Sequence, residues 1–183
     1  DNPETDIVSV SQNDWHGNCQ CDNCRAVDER EGSPSGSMIQ FVNQVAEIVE
    51  EEFPEVAIDT LAYQYTRRPP KTLRPRDNVI VRLCSIECCF SHGLEACPTN
   101  QSFEEDIVGW SEICDRLYVW NYTTIFPHYV SPFPNLHAMG PDLKFLVDHS
   151  VVGLFEQGAY PPGGGGEFSE LRAWVQAKLM WDP

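Results

Sequence analysis

Apolar residues in this chain come in short blocks whose internal period switches between strand-like and helix-like. The segment 6–14, DIVSVSQND, sets Ile7, Val8 and Val10 ahead of polar residues and predicts a buried strand. VAIDTLAYQY (56–65), NVIVRLCSI (78–86), DRLYVWNY (115–122) and SVVGLFEQG (150–158) predict four more. Between them, 37–53 repeats Met38, Phe41, Val42, Val45 and Val49 at helical steps, with Glu47, Glu50 and Glu51 outward and Pro54 at its end. A second helix is expected from about Phe103 to Cys114, with Ile107, Trp110, Ile113 and Cys114 inward and a capping box of Ser102 and Glu105. A third starts near Pro141 and runs to about His149. The last, 167–180, sets Phe168, Leu171, Val175 and Leu179 on one face with Trp174 beside them. The Cys-, Asp- and Gly-rich stretch up to Gly36, the proline-rich basic stretch 66–77, the aromatic stretch after Tyr122 and the Gly-rich AYPPGGGGEF read as loops.

Short apolar strands alternating with helices predict an α/β fold with a parallel sheet, and 183 residues suit one domain, 1–183. Five strands fit an open doubly wound sheet or the last five strands of an eight-stranded barrel. No GxGxxG or GxxxxGK[ST] follows the first strand, which disfavours a nucleotide.

Charge narrows the partners. With 28 acidic against 12 basic residues the net charge is −16, which repels phosphate backbones and argues against nucleic acid. No run approaches the roughly 20 apolar residues a membrane span needs. The opening DNPETD reads as a mature N-terminus or a cut from a longer protein. Asn100 and Asn121 head N-x-[ST] triplets, which arise often by chance.

Ligands of parallel α/β folds bind at the carboxyl ends of the strands. The expected strand ends here are Asn13, Asp14 and Trp15; Tyr63, Gln64 and Tyr65; Ser85, Ile86 and Glu87; Trp120, Asn121 and Tyr122; and Glu156 and Gln157. Each brings hydrogen-bonding groups, and most bring an aromatic ring. A sugar asks for this mixture, because its C–H faces stack on rings and its hydroxyls pair with amides and carboxylates. Glycosidic cleavage needs a proton donor for the leaving oxygen and a group that stabilises the cationic centre. Asp14, Glu156 and Glu87 are the carboxylates placed for that chemistry. Asp14 and Glu156 are favoured over Glu87, which adjoins Cys88 in a loop. No HExxH and no G-x-S-x-G occurs, so zinc-protease and serine-hydrolase readings have no support.

Cys19, Cys21 and Cys24 form C-x-C-x-x-C, with His16 three residues ahead. Such spacing suits zinc, yet a second clean C-x-x-C is missing. A structural zinc, disulfides and free thiols all stay open, and no other cofactor is indicated. Whichever holds, the long loop needs a brace.

The motifs VSVSQNDW, C-x-C-x-x-C, FVNQVAE, IDTLAYQYTRRPP, NVIVRLCSIECCF, DRLYVWNY, PFPNL, GLFEQGAY and the closing AKLMWDP resemble the bacterial domain-of-unknown-function family 4838, which overlaps glycoside hydrolase family 163. The resemblance spans nearly the whole chain. It implies a secreted, periplasmic or cell-surface bacterial protein with a (β/α)8 barrel. It also implies an endo-β-N-acetylglucosaminidase-like activity on N-glycans, in which the substrate's acetamide serves as nucleophile. On that pattern Glu156 or Glu87 would be the acid, and Asp14 with Asn13 would orient the acetamide. Asn13, Trp15, Tyr63, Tyr65, Trp120, Asn121, Tyr122 and Gln157 would line the glycan site. Family members are longer, so this chain would supply barrel strands four to eight, and another chain or copy would cover the open barrel edges. A non-catalytic interaction protein with the same fold, and a carbohydrate-binding module, are the competing expectations.

Overall fold

A computed structural model describes residues 5–160 and 165–181; the middle of the Gly-rich loop, 161–164, lies outside the described residues. Five parallel strands form one sheet in chain order: β1 (Ile7–Ser9), β2 (Ala57–Ala62), β3 (Val79–Cys84), β4 (Leu117–Tyr122) and β5 (Val151–Gln157). The helices are α1 (Asp22–Glu31), α2 (Ser35–Glu52), α3 (Gln101–Ser111), α4 (Met139–Asp148) and α5 (Ser169–Trp181). The expected α/β class with a parallel sheet is what the chain adopts.

Neighbouring strands that follow one another in sequence are joined by crossovers of one hand, so the helices collect on one face. That face carries the core: Ile39, Val42 and Ala46 of α2 and Phe103, Ile107 and Trp110 of α3 meet the alternate strand residues Ile58, Val81, Leu83, Leu117 and Val119. The residues between them in sequence point the other way. There Arg82 pairs with Asp59 at 2.9 Å and lies over the Tyr118 ring, and Trp120 meets Phe155 edge-on at 4.9 Å. No helix of the described residues covers this second face, as in a segment of a barrel wall.

Several expectations change. β1 is three residues long, and Ile7 and Val8 stand over 40% exposed, because β1 is the edge of the sheet. The presumed loop up to Gly36 contains α1. Apolar periodicity missed it because DNCRAVDERE has almost none; it is held by polar contacts, including the Asp22–Arg25 pair at 2.5 Å. Its signals were Asp22 in the first turn, Arg30 in the last and Gly32 after it, where φ is 74°. In α2, Phe41 faces outward, and Ile39 and Ala46 take the inward stripe beside Val42. The Ser102–Glu105 capping box does not form: a 3-10 turn at Pro98–Asn100 leads into α3, and Ser102 accepts from Arg67 instead. Most unexpected is α5, which buries Arg172 and Gln176 while Phe168, Leu171 and Trp174 stay exposed.

Buried polar groups tie the long connections to this frame. The Trp110 indole donates to the Arg67 carbonyl at 2.7 Å. Glu31, 1% exposed, closes α1 and accepts from the Thr72 and Leu73 amides at 2.7 and 3.0 Å and from the Thr72 hydroxyl. Gly36 lies in the first turn of α2, where a Cβ would strike the Glu31 side chain at 2.6 Å. Burial alone would raise the Glu31 carboxyl, but Arg30 and the amides of Thr72 and Leu73 outweigh it and hold it at about 2. A depressed carboxylate contributes stability above its unfolded value, and that stability is lost as pH falls toward the folded one. Acid denaturation should therefore show a Glu31-dependent loss between pH 4.5 and about 2. Glu31→Ala, which orphans two amides, should cost about 2–3 kcal/mol at neutral pH, read by urea unfolding. An unchanged midpoint would remove Glu31 from the set of residues that hold the connection.

Candidate functional site

The carboxyl ends of β2 to β5 border a cleft of about 380 Å³ on the face without helices. Its walls are Tyr63, Trp120, Tyr122 and Phe126, its floor includes Leu61 and Cys84, and its polar groups are Asp14 and Gln157. Tyr122 joins Trp120 at 6.5 Å in a stacked arrangement and Phe126 edge-on at 5.8 Å, so the rings form one wall. The Trp120 indole donates to Gln157 Oε1 at 2.8 Å, which fixes both side chains. Tyr63 donates its hydroxyl to Asp14 Oδ1 at 3.1 Å. Gln12 braces the segment carrying Asp14, donating to the Tyr63 carbonyl at 3.1 Å and accepting from the Thr66 hydroxyl. Burial pushes the Cys84 thiol up to about 12, so the cleft offers no thiolate nucleophile.

A family model described as Domain of unknown function (DUF4838) matches residues 1–183. The chain belongs to this family. No curated protein and no solved structure matches it.

Five expected site residues of this DUF4838 chain thus share one cleft: Asp14, Tyr63, Trp120, Tyr122 and Gln157. The others go elsewhere. Asn13 and Trp15 are exposed beside Asp14, with Trp15 73% exposed. Tyr65 sits half-buried in the 3-10 turn after β2. Glu87 is exposed and bound to Arg67 at 2.6 Å, an ion pair that also serves buried Asp106 at 2.7 Å. Asn121 and Glu156 are register partners one residue from Trp120 and Gln157, so alternation turns them toward the helices.

On that side they form a second polar centre. Asn121 donates to both oxygens of Glu156 at 3.0 and 3.2 Å and accepts from the Ser85 hydroxyl at 2.6 Å. Gln176 of α5 reaches Glu156 at 3.4 Å. The adjoining pocket, about 140 Å³, includes Thr123, Tyr129, Glu167 and Arg172. Arg172 donates to the Phe133 carbonyl at 2.5 Å and to Asn135 and Glu167. The pairing explains why α5 buries polar residues: they serve the end of β5. Sequence patterning missed Arg172 and Gln176 because a polar residue on a helix reads as solvent-facing, and Asn135 because it lies in a turn of the stretch read as a loop.

Burial raises the Glu156 carboxyl to about 7; the Asn121 amide works against that shift and the Asp142 charge adds to it. Asp142 is itself raised to about 6 by burial, although the Leu94 amide donates to it at 2.7 Å. The two triplet asparagines are both committed inside the fold, Asn121 to Glu156 and the fully buried Asn100 to the Cys89 backbone.

The structure gathers the sulfurs of Cys19, Cys21 and Cys24 within 4.8 Å of one another at the start of α1, and His16 is not among them. The neighbouring Cys24 backbone holds the Cys21 thiol below its ordinary value, while the nearby Cys21 and Cys19 sulfurs push Cys24 up to about 12. Three sulfurs so placed fit three corners of a zinc tetrahedron.

Glu156 generates a signed prediction. Between its unfolded value of 4.5 and its folded value of about 7 the folded state holds the extra proton, so rising pH costs stability across that window. Glu156→Gln carries no such penalty and keeps the Asn121 contact through its amide oxygen. Its melting temperature relative to wild type should climb as pH rises from 4.5 to 8, and the carboxyl carbon of Glu156 should titrate near 7 by NMR. A midpoint near 4.5 would show that the buried centre does not hold the proton.

Proposed function

We propose that this chain is the carbohydrate-holding part of a glycoside hydrolase-like domain acting on N-acetylglucosamine-containing glycans. The relevant chemistry is that of glycoside hydrolase family 163, with the substrate's acetamide as nucleophile. The cleft carries this reading: an aromatic wall with Asp14 and Gln157 in reach, at the end of the sheet where parallel α/β folds bind ligands. Trp120, backed by the buried Tyr122 ring, offers a face for the C–H side of a sugar, and Gln157 offers an amide to a hydroxyl. Asp14, oriented by the Tyr63 hydroxyl, is the group suited to hold an acetamide N–H and support the positive charge that develops as its oxygen attacks.

The cleft lining holds one carboxylate, Asp14. Glu156 keeps its proton near neutral pH but faces the helices, and Glu87 is spent on Arg67. On this reading the acid for the leaving oxygen comes from whatever covers the open face, another chain segment or another chain. The exposed edge residues Ile7 and Val8 and the exposed Phe155 beside the cleft favour such a cover. A glycan substrate places the protein outside the cell, in the periplasm or at the cell surface. The lone carboxylate also favours a second reading, a carbohydrate-binding module without chemistry.

Calorimetric titration with an N-acetylglucosamine oligosaccharide tests the shared part. Trp120→Ala and Asp14→Ala should each weaken binding about tenfold or more, the loss of one stacked ring or one charged hydrogen bond. Glu87→Gln should leave it unchanged. Equal affinity across wild type and both cleft variants would sink the proposal. Release of reducing ends from an N-glycan, lost in Asp14→Ala, separates the hydrolase from the binding module.

A further inference from the structure

The loop between β3 and the turn that opens α3 runs from Ser85 to Cys97 without strand or helix. A structureless stretch of that length at the mouth of a site needs something to hold it. Within it, Cys89 Sγ, a ring nitrogen of His92 and Cys97 Sγ all lie within 4.8 Å of one another, and Cys89 Sγ stands 3.3 Å from His92 Nδ1. The spacing C-x-x-H-x-x-x-x-C hides the group from a search for paired C-x-x-C knuckles.

We propose that Cys89, His92 and Cys97 bind a zinc ion that braces this loop against the cleft. Zinc–sulfur bonds of about 2.3 Å and zinc–nitrogen bonds of about 2.0 Å in a tetrahedron put neighbouring ligand atoms roughly 3.5–3.8 Å apart. The observed group needs only side-chain adjustment to reach that spacing. Two thiolates and a neutral imidazole suit zinc over magnesium or calcium, which take oxygen ligands. Two thiolates also balance the ion's charge, and the two thiol protons leave to solvent on binding.

The backbone around the group is already fixed. Fully buried Asn100 accepts from the Cys89 amide at 2.7 Å and donates to the Cys89 carbonyl at 3.0 Å. The Asn100 amide returns to the Cys97 carbonyl at 2.8 Å, so one residue sets both cysteines. Cys88 is turned inward against the core and takes no part. His92 is exposed, which leaves the fourth corner open to solvent. Phe90, inside the same loop, packs on Tyr122 at 6.2 Å and Phe133 at 5.3 Å, which links the metal to the wall of the cleft. This site is separate from the three cysteines at the start of α1 and does not depend on the glycan reading.

The test uses the 183-residue chain, reduced and loaded with zinc chloride, then freed of excess metal and analysed for zinc per chain. C19S/C21S/C24S removes the other cluster and should retain one zinc. Adding C89S or H92A to it should reduce the content to near zero, whereas adding H137A, a neighbouring exposed histidine, should not. In the unmutated chain, zinc should slow alkylation of Cys89 and Cys97 tenfold or more, and a chelator should restore it; this arm needs no variant to fold. A Cys89–Cys97 disulfide in the purified protein, zinc retained when H92A is added to C19S/C21S/C24S, or no protection from alkylation would each overturn the site.

Discussion

Strand order equal to chain order is the constraint from which the rest follows. With crossovers of one hand, each return of the chain lands on the same side of the sheet. α2, α3 and α4 therefore share one apolar layer with Val81, Leu83, Leu117 and Val119. The opposite face receives no helix among the described residues, and parallel strands left bare on one side are unusual. The chain answers with a half-buried Arg82 that pairs with buried Asp59 and lies over the ring of Tyr118, and with Trp120 against Phe155. A face of this composition is consistent with the inner side of a barrel wall, and its upper edge becomes the cleft.

The two-residue period of a strand then divides the chemistry. Trp120 and Gln157 turn into the cleft, and Asn121 and Glu156, one residue away in each strand, turn to the helices. The two sides have opposite electrostatic characters. In the cleft Asp14 sits near solvent beside a hydroxyl donor. Beneath α5, Glu156 is enclosed with Asn121, Gln176 and a second carboxyl, Asp142, so it holds its proton to about pH 7. Carboxylates adjacent in a list of strand ends are therefore not interchangeable: sheet face decides which one a ligand in the cleft can touch.

The strands and the cleft wall were legible because both depend on local pattern. β-Branched and aromatic runs mark β2 to β5, and their last residues mark the mouth. Three things were not legible. α1 lacks an apolar stripe, and its stability rests on contacts such as Glu31 with Thr72, 41 residues away. The face of each strand-end residue depends on where the strand stops, and a shift of one residue reverses it. α5 reads as amphipathic from Leu171, Val175 and Leu179, yet the need to satisfy Glu156 and the Phe133 carbonyl turns Arg172 and Gln176 inward. A buried acceptor that lacks a partner costs more than a half-exposed leucine, so polar satisfaction overrides apolar periodicity there.

The same preference sets how the rim is built. The loops at the carboxyl end of the sheet contain little regular structure, and each is held by one buried polar residue serving several backbone groups. Glu31 holds the connection after β2, Asn100 the loop after β3, and Arg172 the segment after β4. Glu31 and Arg172 each grip backbone 39 or more residues away, so those two clamps form only when the distant segments have come together, whereas Asn100 closes its own loop on Cys89, 11 residues away. Rim and sheet are therefore coupled: displacing Phe90 on the β3 loop strains the Asn100 clamp on one side and the Tyr122 wall on the other. A metal held by Cys89, His92 and Cys97 would act on the loop Ser85–Cys97, where no helix does the work.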